Sequence, residues 1–214
     1  MARAADGLPT VQVVGPLYRL GEELAEAFRG VFSRETVDRL VEETYDLLAA
    51  QASLTPHLLT LTARFARQRL IDHGRAAGLT RISVPQVLFL CVHNIGRSQL
   101  AAALLDHHAE GRVTVRSAGS RPQPHIPATI TDALGEVGIS LARAFPKPLT
   151  DEVLRAADVV VSMGCGEACP LYPGKRYLDW DIADPIDAPI ATVRRIRDDI
   201  DHRVRDLLAD LLDG

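Results

Sequence analysis

The chain has 214 residues, of which 47% are hydrophobic and 24% are charged, as in ordinary globular proteins. Its length allows one large domain or two small ones. The net charge is −4, and acidic residues outnumber basic ones both before and after residue 80, which argues against nucleic-acid binding. No apolar run is long enough to cross a bilayer, and residues 1–15 lack the pattern of a signal peptide, so we expect neither a membrane segment nor export.

Three cysteines in a chain with no visible export signal predict a reducing, cytoplasmic setting. In that setting, paired thiols are more often catalytic or metal-binding than structural. The places where the cysteines fall along the chain therefore bear directly on function.

Residues 1–80 contain three helical patterns, and residues 1–15 before them are expected to form a loose arm. Ser33 is placed to cap the second helix, and Thr55 with Pro56 marks the start of the third. The apolar positions of the three faces are Leu17, Leu20, Leu24 and Phe28, then Val37, Leu40, Val41, Tyr45 and Leu48, then Leu59, Phe65 and Leu70. We predict a small three-helix bundle that serves either as a structural appendage or as a dimerisation module.

Residues 81–214 have a different character, because short apolar strands alternate there with helical segments. Strands are predicted at 86–90, 113–117, 157–163 and around Tyr177, and helices at 98–109, 127–137 and 189–212, with a rigid connector at 145–151. This alternation is typical of a doubly wound, four-stranded parallel sheet of the α/β class. In such sheets, ligands bind beyond the carboxyl ends of the strands.

Cys91 lies where the first predicted strand ends, and Arg97 lies six positions later, where a helix begins. The backbone N–H groups of the loop between them, together with the helix N-terminus, would surround a tetrahedral oxyanion. Arg97 offers a planar charged group for two oxyanion oxygens, and the same positive field favours the ionised thiolate of Cys91. The predicted binding segment consists of Val92, His93, Asn94, Ile95, Gly96, Arg97 and Ser98.

Two serines are expected to support this loop. Ser98 is placed to donate a hydrogen bond to the Cys91 thiolate, and Ser117, at the end of the second strand, is placed to brace Asn94. Asn tolerates positive φ better than most residues, which suits a tight loop. The alternative is a buried free cysteine beside a surface arginine, but the strand, the helix, Gly96 and Ser98 together favour the catalytic interpretation.

Cys165 and Cys169 follow the third predicted strand, so they reach the same edge of the sheet as Cys91. A zinc site would need four ligands, and no suitable further cysteine or histidine is evident nearby. Two packing cysteines are a second alternative. We favour a redox-active pair, because Gly164 and Gly166 allow the segment to move and thiols at this spacing can form a disulfide once a helical turn unwinds.

Asp184 and Pro185 follow the fourth predicted strand. An Asp-Pro pair is often an ordinary turn. Here it would also hold a carboxylic acid over the loop, where a bound oxyanion and partial burial would favour the protonated form needed for proton donation.

Taken together, these motifs resemble those of the arsenate reductases built on the low-molecular-weight protein tyrosine phosphatase fold. The resemblance covers about residues 84–212 and rests on four stretches in the expected order, V-L-F-L-C-V-H-N-I-G-R-S-Q, S-A-G, V-V-V-S-M-G-C-G-E-A-C-P and D-P. The N-terminal bundle resembles a three-helix domain that is often fused to actinobacterial members and is associated with dimerisation.

The resemblance implies that Cys91 attacks arsenate held by the loop amides and Arg97, while Asp184 protonates the departing oxygen. It implies that Cys165 then attacks the Cys91–arsenic adduct, which releases arsenite and leaves a Cys91–Cys165 disulfide. Cys169 would convert this bond to a Cys165–Cys169 disulfide, which thioredoxin would reduce. Neither a metal nor another cofactor is implied.

Among the departures of the sequence from the resemblance, two bear on the reductant and on the substrate. Only three residues separate Cys165 from Cys169, fewer than in most three-cysteine reductases, so mycothiol with its redoxin is an alternative reductant. Ile186 follows the Asp-Pro pair, where tyrosine phosphatases usually have an aromatic residue that stacks on the substrate. Phosphatase activity on phosphotyrosine or small phosphate esters is the second hypothesis, and a non-catalytic oxyanion sensor is the third. We also expect a homodimer.

Overall fold

The computed structural model describes residues 10–50, 57–80, 83–164 and 170–213. Contacts within the chain divide it into two compact units, Met1–Arg81 and Ile82–Gly214. The first unit is helical, and the second contains the sheet.

The first helix, α1, spans Thr10–Ala27. The prediction of a loose arm up to residue 15 is therefore wrong for residues 10–15. Gly15, which has poor helix propensity, favoured a loose arm there, yet the helix continues through Gly15 and the following Pro16. Val13 is buried and lies one turn before Leu17, so apolar packing extends the buried stripe past the residues that disfavour a helix.

The second helix, α2, spans Arg34–Ala49 and begins as predicted. The side-chain oxygen of Ser33 accepts a hydrogen bond from the backbone N–H of Thr36 at 3.3 Å, which satisfies one of the donors left free at a helix start. The core of this unit is formed by buried residues of all three helices, namely Leu24, Val37, Leu40, Val41, Ala66 and Leu70.

The third helix, α3, spans Leu58–Ala76, and Phe65 and Leu70 are buried in it as predicted. Leu59 was expected on the buried face but is 38% exposed, whereas Leu58 is buried. The buried stripe also contains polar side chains, among them Thr62 and Arg69, which the apolar pattern alone does not reveal. The predicted helix start at residues 55–56 lies outside the described residues.

The second unit confirms the predicted alternation of strands and helices, with small differences at the ends. One short helix at Asp151–Ala156 was missed, because six residues are too few to show a helical period. The elements are β1 Gln86–Cys91, α4 Arg97–Ala109, β2 Thr114–Gly119, α5 Ala128–Gly135, α6 Asp151–Ala156, β3 Val159–Ser162, β4 Arg176–Asp179 and α7 Ile190–Asp213.

The four strands form a parallel sheet in the order β2-β1-β3-β4, which confirms the predicted fold class. The central strand β1 is buried along its whole length, and its successive side chains enter different cores. Val87, Phe89 and Cys91 join the core that contains residues of α4, α5 and α7, whereas Leu88 and Leu90 join the core with α6 residues. All carboxyl strand ends therefore lie at one edge of the sheet.

None of the helices in the described ranges combines the length and the apolar character needed to cross a membrane.

Candidate active site

The oxyanion loop, residues 92–96, connects the end of β1 to the start of α4. Asn94 adopts a positive φ of 51°, and its backbone N–H points back to the sulfur of Cys91 at 3.2 Å. The carbonyl oxygens of Val92 and His93 accept hydrogen bonds from backbone N–H groups after β2, at 2.8 and 3.0 Å. Because a trans peptide plane directs its N–H opposite to its C=O, the His93 carbonyl points away from Cys91 while the N–H of Asn94 points towards its sulfur.

Cys91 is buried, but its sulfur is not enclosed by hydrocarbon alone. The sulfur lies 2.9 Å from the hydroxyl oxygen of Ser98 and accepts the N–H of Asn94. Cys91 forms no disulfide with another described residue. It sits beside the N-terminus of α4, where the helix dipole stabilises negative charge. The predicted contact between Ser98 and Cys91 is present.

The side chain of Asn94 joins the loop to two other segments. Its Nδ2 donates to the Ser98 hydroxyl at 2.8 Å, and its Oδ1 accepts the backbone N–H of Lys147 at 2.8 Å. Nε2 of Gln99 lies 3.2 Å from the same Oδ1, 2.9 Å from the carbonyl oxygen of Asn94 and 3.3 Å from that of Phe145. Asn94 is fully buried, so these partners replace water for all of its polar atoms.

Ser117, expected to brace Asn94, does not bond to it within the described part of the chain. In the sheet register Ser117 pairs with Phe89, whereas Gly119 pairs with Cys91. Two residues of a strand span about 6–7 Å, so Ser117 lies too far back along β2. Gly119 takes the position against the loop instead, because a Cβ there would lie 2.8 Å from the Val92 carbonyl oxygen and 3.0 Å from Asn94 Cβ.

Sequence reasoning missed Gln99, Gly119 and the backbone of Lys147 as supports of the loop. The S-A-G motif carried the signal for Gly119, since its last residue is the one in register with Cys91. No local signal marked Lys147, which reaches Asn94 from 53 positions along the chain.

Arg97 and Asp184, two predicted site residues from different parts of the sequence, meet in the structure. Nη2 of Arg97 donates to Oδ2 of Asp184 at 2.8 Å, and Nη1 donates to the carbonyl oxygen of Ile182 at 3.4 Å. The Arg97 side chain is 14% exposed and that of Asp184 is 46% exposed. An oxyanion that binds the Arg97 guanidinium must therefore compete with the Asp184 carboxylate.

The segment after β4 also contacts the oxyanion loop directly. A Cβ on Gly96 would lie 2.9 Å from Cγ of Pro185 and 3.2 Å from Cδ1 of Ile186. The backbone N–H of Ile186 donates to Oδ1 of Asp184 at 3.1 Å, which fixes the carboxylate within its turn. Glycine at position 96 thus allows the Asp-Pro turn to approach the loop.

Cys165 and Cys169 lie outside the described residues. Gly164, which is bonded to Cys165, is described and has a φ of 76°. A Cβ on Gly164 would lie 3.1 Å from Nη1 of Arg97, so the chain passes Arg97 immediately before Cys165. Across the described ranges, no three His, Cys, Asp or Glu side chains are grouped in a way that could hold a metal ion.

Comparison with known families assigns the fold that carries this site. Residues 86–213, more than half of the 214-residue chain, match the family described as low molecular weight phosphotyrosine protein phosphatase. The chain belongs to this phosphatase family. Residues 17–72 match the family described as protein-tyrosine-phosphatase-like, N-terminal domain. The resemblance drawn from the sequence motifs is confirmed.

Within the phosphatase family, the similar proteins include reductases and a phosphatase. The structure of a thioredoxin-dependent arsenate reductase from Corynebacterium glutamicum is 46% identical, with a TM-score of 0.85, over 92% of this chain and 97% of that one. An arsenate reductase of Halalkalibacterium halodurans is 32% identical over 56% of this chain and 91% of its own length. The structure of an arginine phosphatase from Geobacillus stearothermophilus is 29% identical, with a TM-score of 0.53, over 60% of this chain and 93% of that one.

A Gly119→Ala substitution should weaken oxyanion binding on the order of tenfold or more, since small displacements of a preorganised site are costly. The strand cannot easily move aside, because the N–H and C=O of Gly119 are bonded to Lys147 and Leu149. The new methyl group must therefore push the oxyanion loop. The measurement is calorimetric titration with inorganic phosphate.

The matched control is Gly135→Ala, since a Cβ at that position in α5 meets nothing within 4 Å. This variant should bind phosphate as the unmodified protein does. Equal affinities for Gly119→Ala and the control would show that the loop does not depend on Gly119.

Proposed function

We propose that the protein reduces arsenate to arsenite, with Cys91 as the nucleophile. The observation that carries this proposal is the position of the Cys91 sulfur, which lies within hydrogen-bond distance of the Asn94 N–H in the loop and the Ser98 hydroxyl on α4. The chain has two further cysteines after β3. The similarity to the arsenate reductase of C. glutamicum over 92% of the chain supports the choice of substrate.

In the binding step, arsenate takes the space enclosed by the oxyanion loop, with its oxygens on the loop amides and the Arg97 guanidinium. The N-terminus of α4 adds positive potential at the same point. The predicted binding residues Val92, His93, Asn94, Ile95, Gly96, Arg97 and Ser98 contribute mainly through their backbone, apart from Arg97 and Ser98.

In the first chemical step, the Cys91 thiolate attacks arsenic, and one arsenic–oxygen bond breaks. Asp184 donates a proton to the departing oxygen, so that water leaves. Arsenate prepares Asp184 for this role, because it takes Arg97 away from the carboxylate and places negative charge nearby.

The remaining steps transfer two electrons to arsenic. The Cys165 thiolate attacks the Cys91 sulfur, the sulfur–arsenic bond breaks with its electron pair on arsenic, and arsenite leaves. Attack of Cys169 on Cys165 then releases the Cys91 thiolate and leaves a Cys165–Cys169 disulfide. We propose that the dithiol of thioredoxin reduces this disulfide, as the name of the C. glutamicum relative suggests, with mycothiol and its redoxin as the alternative.

The second candidate function is phosphate-ester hydrolysis, since the same loop, Arg97 and Asp184 suit phosphate. The similarity to the arginine phosphatase structure favours it. Ile186, which packs over Gly96, lacks the aromatic ring expected for stacking on phosphotyrosine. A non-catalytic oxyanion sensor accounts least well for the grouping of Cys91, Arg97 and Asp184.

Substitution of the second thiol distinguishes reduction from hydrolysis. Cys165→Ser should abolish arsenite formation with thioredoxin, thioredoxin reductase and NADPH, yet leave hydrolysis of an aryl phosphate intact, because hydrolysis needs only Cys91. Cys91→Ser should abolish both. Equal loss of both activities in Cys165→Ser would mean that Cys165 is structural. No arsenite with either thioredoxin or mycothiol, beside rapid hydrolysis, would favour the phosphatase.

Asp184→Asn should slow arsenate consumption in a single turnover by about 10²–10⁴-fold, the usual loss for a general acid. Phosphate should bind at least as tightly as before, because the competitor for Arg97 has lost its charge. The matched control is Asp187→Asn, which removes a carboxylate from the same segment at a positive φ that Asn tolerates. Weaker phosphate binding in Asp184→Asn would contradict the competition between carboxylate and oxyanion.

We further propose that the chain works in the cytoplasm as a homodimer of two-domain subunits, with residues 1–80 as the dimerisation module and residues 81–214 as the reductase domain. The support is an apolar patch on α1, where Val14 and Tyr18, one turn apart, are each 60% exposed.

Light scattering of the full chain tests this assembly. The unmodified protein should have the mass of a dimer, and Val14→Lys should shift it towards monomer, because a charge would be buried in the interface. Leu212→Lys, on the other unit and 40% exposed, should leave the dimer intact. A monomer at micromolar concentration, or no effect of Val14→Lys, would contradict the proposal.

A further inference from the structure

Gln99 is buried in the first turn of α4, and its side chain carries no role in the proposed reaction. Its Nε2 lies within 3.3 Å of three oxygen atoms, the carbonyl of Asn94, the side-chain Oδ1 of Asn94 and the carbonyl of Phe145. Only an N–H donor can face three acceptors, so the amide orientation of Gln99 is determined by its surroundings.

The orientation of the Asn94 amide follows from the same contacts. Its Oδ1 receives the backbone N–H of Lys147 and an N–H of Gln99, so the other end of the amide must be the NH₂ group. That group donates to the hydroxyl of Ser98 at 2.8 Å. Since Ser98 Oγ is the acceptor in this bond, its own proton is free for another partner.

The other partner of the Ser98 hydroxyl, within the described residues, is the Cys91 sulfur at 2.9 Å. The serine proton is therefore directed to the sulfur, where it stabilises the thiolate. The donors run in one direction, from Gln99 and Lys147 through Asn94 and Ser98 to Cys91. Each bond polarises the next, and reversal at any point would turn a donor away from the sulfur.

We propose that Gln99 is a positioning residue that sets the direction of this hydrogen-bond chain and thereby increases the ionisation of Cys91. The proposal deepens the proposed function, because it concerns the nucleophile assigned there. It does not involve arsenate, so thiol chemistry alone can test it.

Gln99 acts through hydrogen bonds, and the charged groups around the site stay the same when it is replaced. These groups are Arg97 at the start of α4, Asp184 in the turn after β4, Lys147 on the connector and His93 in the loop. The ammonium of Lys147 donates to the carbonyl of Phe145, the same oxygen that Gln99 contacts. A change in Cys91 ionisation after substitution of Gln99 therefore reports the lost donor.

The test measures the rate of Cys91 alkylation by iodoacetamide as a function of pH. Cys165→Ser and Cys169→Ser are present throughout, so that only one thiol reacts. Gln99→Met, which keeps the length of the side chain and removes the donor, should raise the pH midpoint of thiolate formation by about one unit, a tenfold change in the ionisation constant. Gln68→Met, a control on α3 in the other unit, should leave the midpoint unchanged.

A second background separates positioning from general damage to the fold. If Gln99 acts through Asn94 and Ser98, Gln99→Met should cause no further shift in a protein that carries Ser98→Ala, because the last bond of the chain is already absent. An equal shift in both backgrounds, or no shift in either, would overturn the proposal.

Gln99→Leu serves where the methionine variant does not fold. It also removes the donor without adding a charge, and it should raise the midpoint by a similar amount. An unchanged midpoint in this variant would also overturn the proposal. A shifted midpoint, together with no arsenite formation by the protein that keeps all three cysteines, would reject the proposed function and leave the role of Gln99 standing.

Discussion

The site depends on one backbone conformation, the positive φ of Asn94, a residue whose backbone N–H faces the Cys91 sulfur. A non-glycine residue in a sparsely populated region costs on the order of 1 kcal/mol. Each buried hydrogen bond stabilises the folded state by about 1 kcal/mol. The Asn94 side chain makes bonds to Ser98, Gln99 and the Lys147 backbone, so the bent conformation is stabilised several times over. Glycine would reach the same φ but could not make these bonds.

The parallel sheet brings the chemistry together from residues far apart in the chain. The register places Cys91 opposite Gly119 on one side, and β3 and β4 end at the same edge. Arg97 then contacts both the Asp-Pro turn after β4 and Gly164 after β3. One guanidinium therefore lies beside both the proposed acid and the segment that leads to Cys165. An anion that binds this guanidinium changes the surroundings of both.

Much of the fold was predictable because strand and helix periods are local signals. The strand that ends at Cys91 and the helix that begins at Arg97 emerged within a residue of their observed bounds. Partners that are distant in the sequence were harder to predict. Ser117 was predicted as the brace because its hydroxyl is a visible chemical group, whereas Gly119 matters through a missing Cβ that only the sheet register reveals. Buried polar residues on α3 were missed for a related reason, since their burial depends on partners on α2 such as Thr44.

The course of α4 has a practical consequence. Thirteen residues of helix carry the chain about 20 Å from Arg97, at its first turn, to a left-handed turn at Glu110 and Gly111. Glu110 is exposed and already adopts the positive φ of that turn. A fluorophore attached to residue 110 would follow the same helix that carries Arg97 and Ser98, yet would lie at its opposite end from the oxyanion loop. The C-terminal end of α4 is thus a suitable attachment point for a fluorescent reporter of anion binding at its N-terminus.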